Sequence, residues 1–174
     1  ETVGNGIWLE AGHKITLIES SPSNHKIFEM TLKVEFEDED IAIIYKPAGY
    51  EVSGNKFKTI QNALSFNLKP SNRNTHLSRP VPVHRLDYPT SGLLIIAKTH
   101  QAAVVLGKAF ERKAIKKTYN AIVNGRTDTK GEIDLPLDGK ESLTYFETLK
   151  TVRSLKTEYL SLLKIIPQTG RTHQ

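Results

Sequence analysis

The sequence of 174 residues contains no cysteine, a single methionine and a single tryptophan. Without cysteine the chain cannot form disulfides, bind zinc through thiolates or use a thiol as a nucleophile. This absence fits a reducing compartment, and we expect a cytoplasmic protein. The first residues are acidic and polar, so we also expect no signal peptide, which would begin with a basic and then an apolar segment.

Long apolar runs are absent as well. The longest run, residues 93–97, has the length of a strand, whereas a membrane-spanning helix needs about 18–20 apolar residues. The six histidines do not have the spacing of a metal site, so we predict no metal. The 24 basic residues outnumber the 19 acidic ones, and the resulting charge of +5 favours polyanionic partners.

One stretch stands out, the polar segment 84–92, which runs directly into the apolar residues 93–97. Pro82 and Pro89 restrict its backbone, and Gly92 marks the point where a loop becomes a strand. A loop that is fixed at the end of a strand can hold a reactive group rigidly while leaving it accessible. Residues 84–92 are therefore the first place to look for a functional site.

Taken alone, Arg85 and Asp87 would most simply form an exposed ion pair, which would contribute roughly 0–1 kcal/mol. The length of the pattern favours a functional interpretation. Residues 83–99, VHRLDYPTSGLLIIAKT, resemble the signature His-Arg-Leu-Asp-x-x-Thr-Ser-Gly-Leu-Leu of the RluA-type RNA pseudouridine synthases.

Three more segments are similar to motifs of the same family, in the family's order. Residues 38–49 match a strand that ends in Lys-Pro-x-Gly, residues 117–125 match Lys-x-Tyr-x-Ala-x-Val-x-Gly, and residues 169–174 match Thr-Gly-Arg-x-His-Gln. The resemblance covers roughly residues 32–174. It also implies a further helix and strand after Gln174, so the C-terminal part of the domain is expected to be missing.

The resemblance implies that the chain isomerises uridine to pseudouridine in structured RNA. In this reaction a nitrogen–carbon glycosidic bond breaks, the uracil rotates and a carbon–carbon bond forms. Asp87 is implied to be the catalytic carboxylate, with Arg171 as its ion-pair partner and Tyr119 against the target base. Whether Asp87 attacks the sugar, attacks the base or removes a sugar proton stays open, since a carboxylate can serve each role.

Access to the target requires that the uridine be flipped out of the folded RNA, at a cost of a few kcal/mol. The planar Arg85 is suited to fill the vacated space. Other residues are also expected to contact RNA, although the polar stretch 70–79 could equally be a solvated loop. The residues predicted to bind RNA are Lys46, Arg73, Arg79, His84 and Arg85.

The pattern of strands and helices predicts an α+β fold, a mixed and largely antiparallel sheet flanked by a few helices. Thr59 and Thr99 are predicted to cap helices over residues 60–69 and 100–113. Residues 25–174 form the expected catalytic domain, incomplete at its C-terminus. Residues 1–24 resemble the end of an alpha-L-type RNA-binding module with a linker, and could equally form a simple hairpin.

A module of that kind favours ribosomal over transfer RNA as the substrate. No cofactor and no stable oligomer are implied, so we expect a monomer that binds RNA and neither a membrane nor a metal. Three alternatives stay open: an RNA-binding relative without catalysis, a glycoside hydrolase or nucleosidase that uses Asp87, and a basic scaffold domain. The hydrolase would need a second carboxylate across the sugar, which no motif supplies.

Overall fold

The computed structural model describes residues 26–174, together with Gly12 and Lys14. The predicted RNA-binding module and linker over residues 1–24 lie outside the described residues, apart from those two positions. None of the helices in the described part of the chain is long and apolar enough to cross a membrane.

The described residues form two four-stranded antiparallel sheets and two helices, which confirms the α+β class. The strands divide into two sheets, where the sequence pattern suggested one. The first has the order β1-β2-β4-β3 and the second the order β5-β8-β7-β6. The elements are β1 Lys33–Glu37, β2 Ile41–Lys46, α1 Ile60–Asn67, β3 His76–Pro82, β4 Gly92–Thr99, α2 His100–Glu111, β5 Tyr119–Asn124, β6 Lys130–Ile133, β7 Thr144–Ser154 and β8 Glu158–Pro167.

The main hydrophobic core lies between α1 and one face of the first sheet. The antiparallel register pairs Ala42 with Ile96 and Ile44 with Leu94, and all four side chains are fully buried. Ile60, Ala63 and Leu64 of α1 belong to the same cluster. Burial of each larger aliphatic side chain contributes about 1.5–3 kcal/mol, so this layer anchors β2 and β4 firmly.

Both helices begin at the predicted threonine caps. The hydroxyl of Thr59 accepts a hydrogen bond from the backbone N–H of Asn62 (3.3 Å), and that of Thr99 accepts one from Ala102 (3.2 Å). Helix α1 ends two residues earlier than predicted, because Pro70 disfavours helical backbone at the residue before it. Helix α2 also ends two residues early, at Glu111.

The second sheet is built around the long β7–β8 hairpin, whose register runs from Thr144 opposite Pro167 to Ser154 opposite Glu158. Tyr119 begins β5 on this sheet and packs against the core of the first sheet. The start of β5 therefore lies against the core of the first sheet.

Candidate active site

The stretch singled out in the sequence forms a loop, residues 83–91, between β3 and β4; we call it the motif loop. Leu86 is buried in the hydrophobic core, and the backbone N–H of Val83 donates to the carbonyl of Ile95 (3.1 Å). Gly92, where β4 begins, has a φ of 143°, a conformation that side chains rarely adopt. These contacts fix both ends and the middle of the loop.

Lys46 is hydrogen-bonded to the backbone of the motif loop. Its side chain is fully buried, and its ammonium group donates to the carbonyl oxygens of Thr90 (2.7 Å), Asp87 (3.1 Å), Pro47 (3.1 Å) and Tyr88 (3.4 Å). Burial lowers the pKa of Lys46, and the negative charge of Asp87 acts in the opposite direction. Because it has no exposed surface, Lys46 cannot bind a phosphate directly, which corrects its assignment as an RNA contact.

His84 joins the motif loop to β4 and to α2. Its Nε2 accepts a hydrogen bond from the backbone N–H of Ile95 (3.1 Å), and its ring stacks on Phe110 with 4.6 Å between centroids. Burial, and to a smaller degree the charge of Lys117, lower the pKa of His84. The structure gives His84 a positioning role in the loop, and its contact with RNA stays a prediction.

The carboxylate of Asp87 lies in a cleft of about 270 Å³. The cleft is lined by residues 85–89, by residues 51–53 and by His173. The Asp87 side chain is 29% exposed, and its Oδ2 lies 3.5 Å from Nδ1 of His173. A partly exposed carboxylate therefore lines an open cleft that a small planar group can enter.

Tyr119 lies near this carboxylate. Burial, and then the charge of Asp87, raise the pKa of the Tyr119 phenol above its ordinary value. The hydroxyl therefore stays protonated at neutral pH and can donate a hydrogen bond. The charge of Asp87, in the motif loop, thus acts on Tyr119 at the start of β5, and the joint role of the two residues in an active site stays a prediction.

Arg171 is not brought to Asp87. Its Nε donates to the carbonyl of Glu141 (2.8 Å), and its backbone N–H donates to Oε1 of Gln174 (3.0 Å). In the described part of the chain, the basic group within 4 Å of the Asp87 carboxylate is the imidazole of His173. The predicted pairing of Arg171 with Asp87 is therefore not formed in this structure, because the Glu141 carbonyl holds the guanidinium.

The remaining predicted RNA contacts are dispersed. Arg85 is exposed and lines the cleft, as its predicted role needs. Arg79 lies on β3, where it donates to Oδ1 of Asn62 (3.0 Å). Arg73 lies 3.5 Å from Asp40, next to the start of β2. That end of β2 is roughly 17 Å from Lys46 at the usual rise per residue, so Arg73 is far from the cleft.

An imidazole and a carboxylate that line the cleft were not among the predicted site residues. His173 belongs to the third motif, where it could have been noticed beside Arg171. Glu51 supplies a second carboxylate, which is bonded to the ammonium group of Lys56 (2.7 Å). No local pattern marks Glu51, because it comes to the cleft only through the fold of the loop after β2.

Comparison with known proteins gives one consistent result. A sequence model described as RNA pseudouridylate synthase matches residues 40–174. An uncharacterized RNA pseudouridine synthase of Aquifex aeolicus is 33% identical over 95% of this chain and 58% of its own length. Ribosomal large subunit pseudouridine synthase D of Zymomonas mobilis is 32% identical over 88% of this chain and 53% of its own length.

A relative with another substrate in its name is also similar. The tRNA pseudouridine synthase C of Haemophilus ducreyi is 30% identical over 83% of this chain and 67% of its own length. The solved structure titled human RNA pseudouridylate synthase domain containing 1 has the same fold, with a TM-score of 0.67 and 21% sequence identity. The match covers 89% of this chain and 65% of the human one. The chain spans little more than half the length of several curated relatives it matches.

Proposed function

Because this chain belongs to the RNA pseudouridylate synthase family, we propose that it isomerises uridine to pseudouridine in RNA. The observation that carries the proposal is the carboxylate of Asp87, held in an open cleft by a loop whose carbonyls are bound by a buried lysine. The bond from the ribose to N1 of uracil breaks, and a bond from the same ribose carbon to C5 forms. C5 loses one proton and N1 gains one, so the isomerisation needs no oxidant, reductant or co-reactant.

In this proposal Asp87 is the group that acts on the ribose or the base. A nucleophile or base must be held in place and must also be reachable, and the partial exposure of Asp87 in the cleft meets both needs. Rigid placement can account for a large part of a rate enhancement, because the reacting atoms are then already aligned. The Lys46 contacts to the motif loop supply that rigidity.

Tyr119 would lie against the flipped base. An aromatic ring stacked on a base contributes about 1–3 kcal/mol in single-stranded nucleic acid complexes. Because its hydroxyl stays protonated beside Asp87, Tyr119 can donate a hydrogen bond to the base or to the carboxylate. Arg85, exposed at the rim of the cleft, would occupy the space that the flipped uridine leaves.

Arg171 would act through the turn that it stabilises. Its guanidinium ties residues 169–174 to Glu141, and Gln174 bonds the carbonyl of Leu143 (3.0 Å). This turn carries His173, which contacts Asp87. We therefore assign Arg171 as a positioning residue rather than as the direct partner of Asp87.

The substrate is proposed to be ribosomal RNA, with transfer RNA as the second candidate. Large-subunit ribosomal RNA is named for relatives that match 88% and 97% of this chain, and transfer RNA for one that matches 83%. The proposed module at residues 1–24 favours ribosomal RNA. The proposal includes a cytoplasmic monomer with no cofactor.

A hydrolase is the specific alternative, because Glu51 places a second carboxylate at the cleft. Glycosidases use two carboxylates and release the base. The test is to incubate the protein with unmodified ribosomal and transfer RNA transcripts, to map pseudouridine at each position and to measure free uracil. Asp87→Asn is the test variant and Glu51→Gln is the matched control.

We expect the protein to form pseudouridine at defined sites and to release no uracil. Asp87→Asn should form no detectable product while it still binds RNA, and Glu51→Gln should stay active. If the unsubstituted protein instead releases uracil, and each of the two substitutions abolishes this release, the protein is a hydrolase. Tight RNA binding with no product from the unsubstituted protein would favour the non-catalytic alternative.

A further inference from the structure

A dense group of positive charges follows the catalytic motif in the chain. Residues 108–117, which we call the basic segment, contain five basic residues and a single acidic one, Glu111. They span the last turn of α2 and the connection to β5. The basic members are Lys108, Arg112, Lys113, Lys116 and Lys117.

Four of these cations point into solvent without an acidic partner. Lys108, Arg112, Lys113 and Lys116 are exposed, whereas Lys117 is half-buried. Among the described residues, none of the four has a carboxylate oxygen within 4 Å. Their positive potential is therefore not neutralised locally and is available to an external anion.

The backbone holds these charges in a defined arrangement. The N–H of Lys113 donates to the carbonyl of Phe110 (3.0 Å), and the N–H of Ala114 donates to that of Ala109 (2.9 Å). This is the helix-ending turn in which glycine usually occupies the left-handed position. Lys113 occupies that position with a φ of 56°, so a cation stands where an uncharged glycine would fit with less strain.

Two contacts place the basic segment beside the active site. Phe110, at the end of α2, stacks on His84 of the motif loop, three residues from Asp87. The ammonium group of Lys117 donates to the carbonyl of Thr169 (3.1 Å), in the turn that carries His173. The segment thus contacts both loops that border the cleft, whereas Arg73 lies at the far end of the sheet.

We propose that the basic segment binds the phosphate backbone of the RNA next to the target uridine. This proposal rests on the proposed function, because it assumes that RNA enters the cleft. Phosphate contacts fix the register of a protein on a nucleic acid without reading its sequence. In this arrangement the segment would hold the flanking nucleotides while Arg85 fills the space that the uridine leaves and Asp87 acts on the uridine.

The test compares two double variants that remove the same charge. Arg112→Gln with Lys116→Gln alters the basic segment, and Lys69→Gln with Lys156→Gln alters two positions outside it, one after α1 and one at the tip of the β7–β8 hairpin. All four side chains are exposed, and Lys113 is left intact because of its backbone conformation. Circular dichroism would show that both proteins fold.

Binding to transcribed large-subunit ribosomal RNA would be measured between about 50 and 200 mM salt, the range over which phosphate contacts weaken strongly. For the basic-segment variant we expect weaker binding at every salt concentration and a salt slope that is shallower by about 1 for each residue. The control pair should retain the slope of the unsubstituted protein. Equal changes in both variants, or no change in the basic-segment variant, would overturn the proposal.

Asp87→Asn separates this proposal from the proposed function. It should bind with an unchanged slope and form no pseudouridine. If the unsubstituted protein forms pseudouridine and the basic-segment variant keeps its slope, the further inference fails while the proposed function stands. The reverse outcome is a shallower slope in the basic-segment variant alone, with no pseudouridine formed by the unsubstituted protein. The basic segment would then bind RNA as proposed, and the proposed catalytic function would fail.

Discussion

Two buried lysines lie on the same face of the first sheet, at opposite ends. Lys46 ends β2 and Lys98 comes near the end of β4, and the exposed fractions of their side chains are 0% and 3%. The strand register places both on the face that packs against α1. They differ in what surrounds their ammonium groups.

Lys98 is compensated in charge. Its ammonium group donates to Oε1 of Glu37 (2.7 Å) and to the carbonyl of Asp38 (2.6 Å). Lys46 has four carbonyl partners instead, all in the motif loop or next to Lys46 itself, and no carboxylate among its hydrogen-bond partners in the described residues. A buried charge without an ionic partner costs free energy, which is why burial lowers the pKa of Lys46.

The contrast separates a stabilising lysine from one retained for function. The Lys98 pair ties the turn between β1 and β2 to β4, far from the cleft. Lys46 binds the carbonyls of the loop that carries Asp87, so we infer that it is retained, despite its cost in stability, because it places this carboxylate. The following predictions test this division, beginning with the largest effect.

Lys46→Met should have the largest effect on activity. Methionine keeps much of the side-chain volume but leaves the carbonyls of the motif loop without a donor. Misplacement of a catalytic group by about 1 Å can lower a rate 100-fold, so we expect pseudouridine formation to fall by 100-fold or more. Single-turnover kinetics with saturating protein would measure this loss separately from RNA binding.

Lys98→Met is the matched control, because it replaces a lysine with the same degree of burial on the same face. It should retain the turnover of the unsubstituted protein within a factor of about two, provided that both proteins are compared below their unfolding temperatures. Equal losses of turnover in the two variants would mean that Lys46 is needed for folding alone.

Lys98→Met should instead lower stability. Removal of one partner from a buried ion pair costs about 3–5 kcal/mol, and the partial exposure of Glu37 (18%) reduces our expectation to about 2 kcal/mol. Urea unfolding would give the change in the free energy of unfolding. Adding Glu37→Gln should recover part of the loss, since no unpaired carboxylate then remains. If the loss of unfolding free energy in the double variant equals the sum of the losses in the two single variants, Lys98 and Glu37 are not coupled.

Acid should destabilise the folded protein through His84, which lies in the motif loop. Its pKa is lowered in the folded protein, so below its ordinary value of about 6.5 the unfolded chain binds a proton that the folded protein does not. The free energy of unfolding should therefore fall as the pH decreases from about 6.5 toward the folded pKa, with a slope of at most about 1.4 kcal/mol per pH unit.

His84→Gln should make this part of the pH dependence flatter, because the amide does not titrate. Unfolding by urea at several pH values would show the difference, with His76→Gln as the control for a histidine that is exposed. An identical pH dependence in the His84→Gln protein would show that other groups account for the acid sensitivity.

The parts of the fold that depend on local sequence were predicted well. The Thr59 and Thr99 caps follow from residue types and periodicity within a few positions of each other. The division into two sheets depends on pairings between distant strands, such as β5 with β8, for which the strand pattern alone carries no signal.

The candidate site shows the same limit. Asp87 was identified from an extended motif, and Tyr119 was placed against the target base by resemblance. The burial of Lys46 was not predicted, because a lysine at the end of an apolar strand is ordinarily exposed and only the motif loop encloses it. The contacts of Arg171 depend on Glu141, which comes from a distant loop, so the local motif could not show which partner its guanidinium would bind.

Arg171→Gln tests that last point and should have the smallest effect on activity. The substitution removes the hydrogen bond to the Glu141 carbonyl but leaves the bonds of Gln174 that hold the turn. One hydrogen bond from a charged donor contributes about 1.5–3 kcal/mol at most. Because the bonds of Gln174 remain, the turn should lose only part of this stabilisation. We expect turnover to fall about three- to tenfold, far less than in Asp87→Asn. If Arg171→Gln is instead as inactive as Asp87→Asn, then the guanidinium must leave Glu141 and reach Asp87 when RNA binds, as the family resemblance implies.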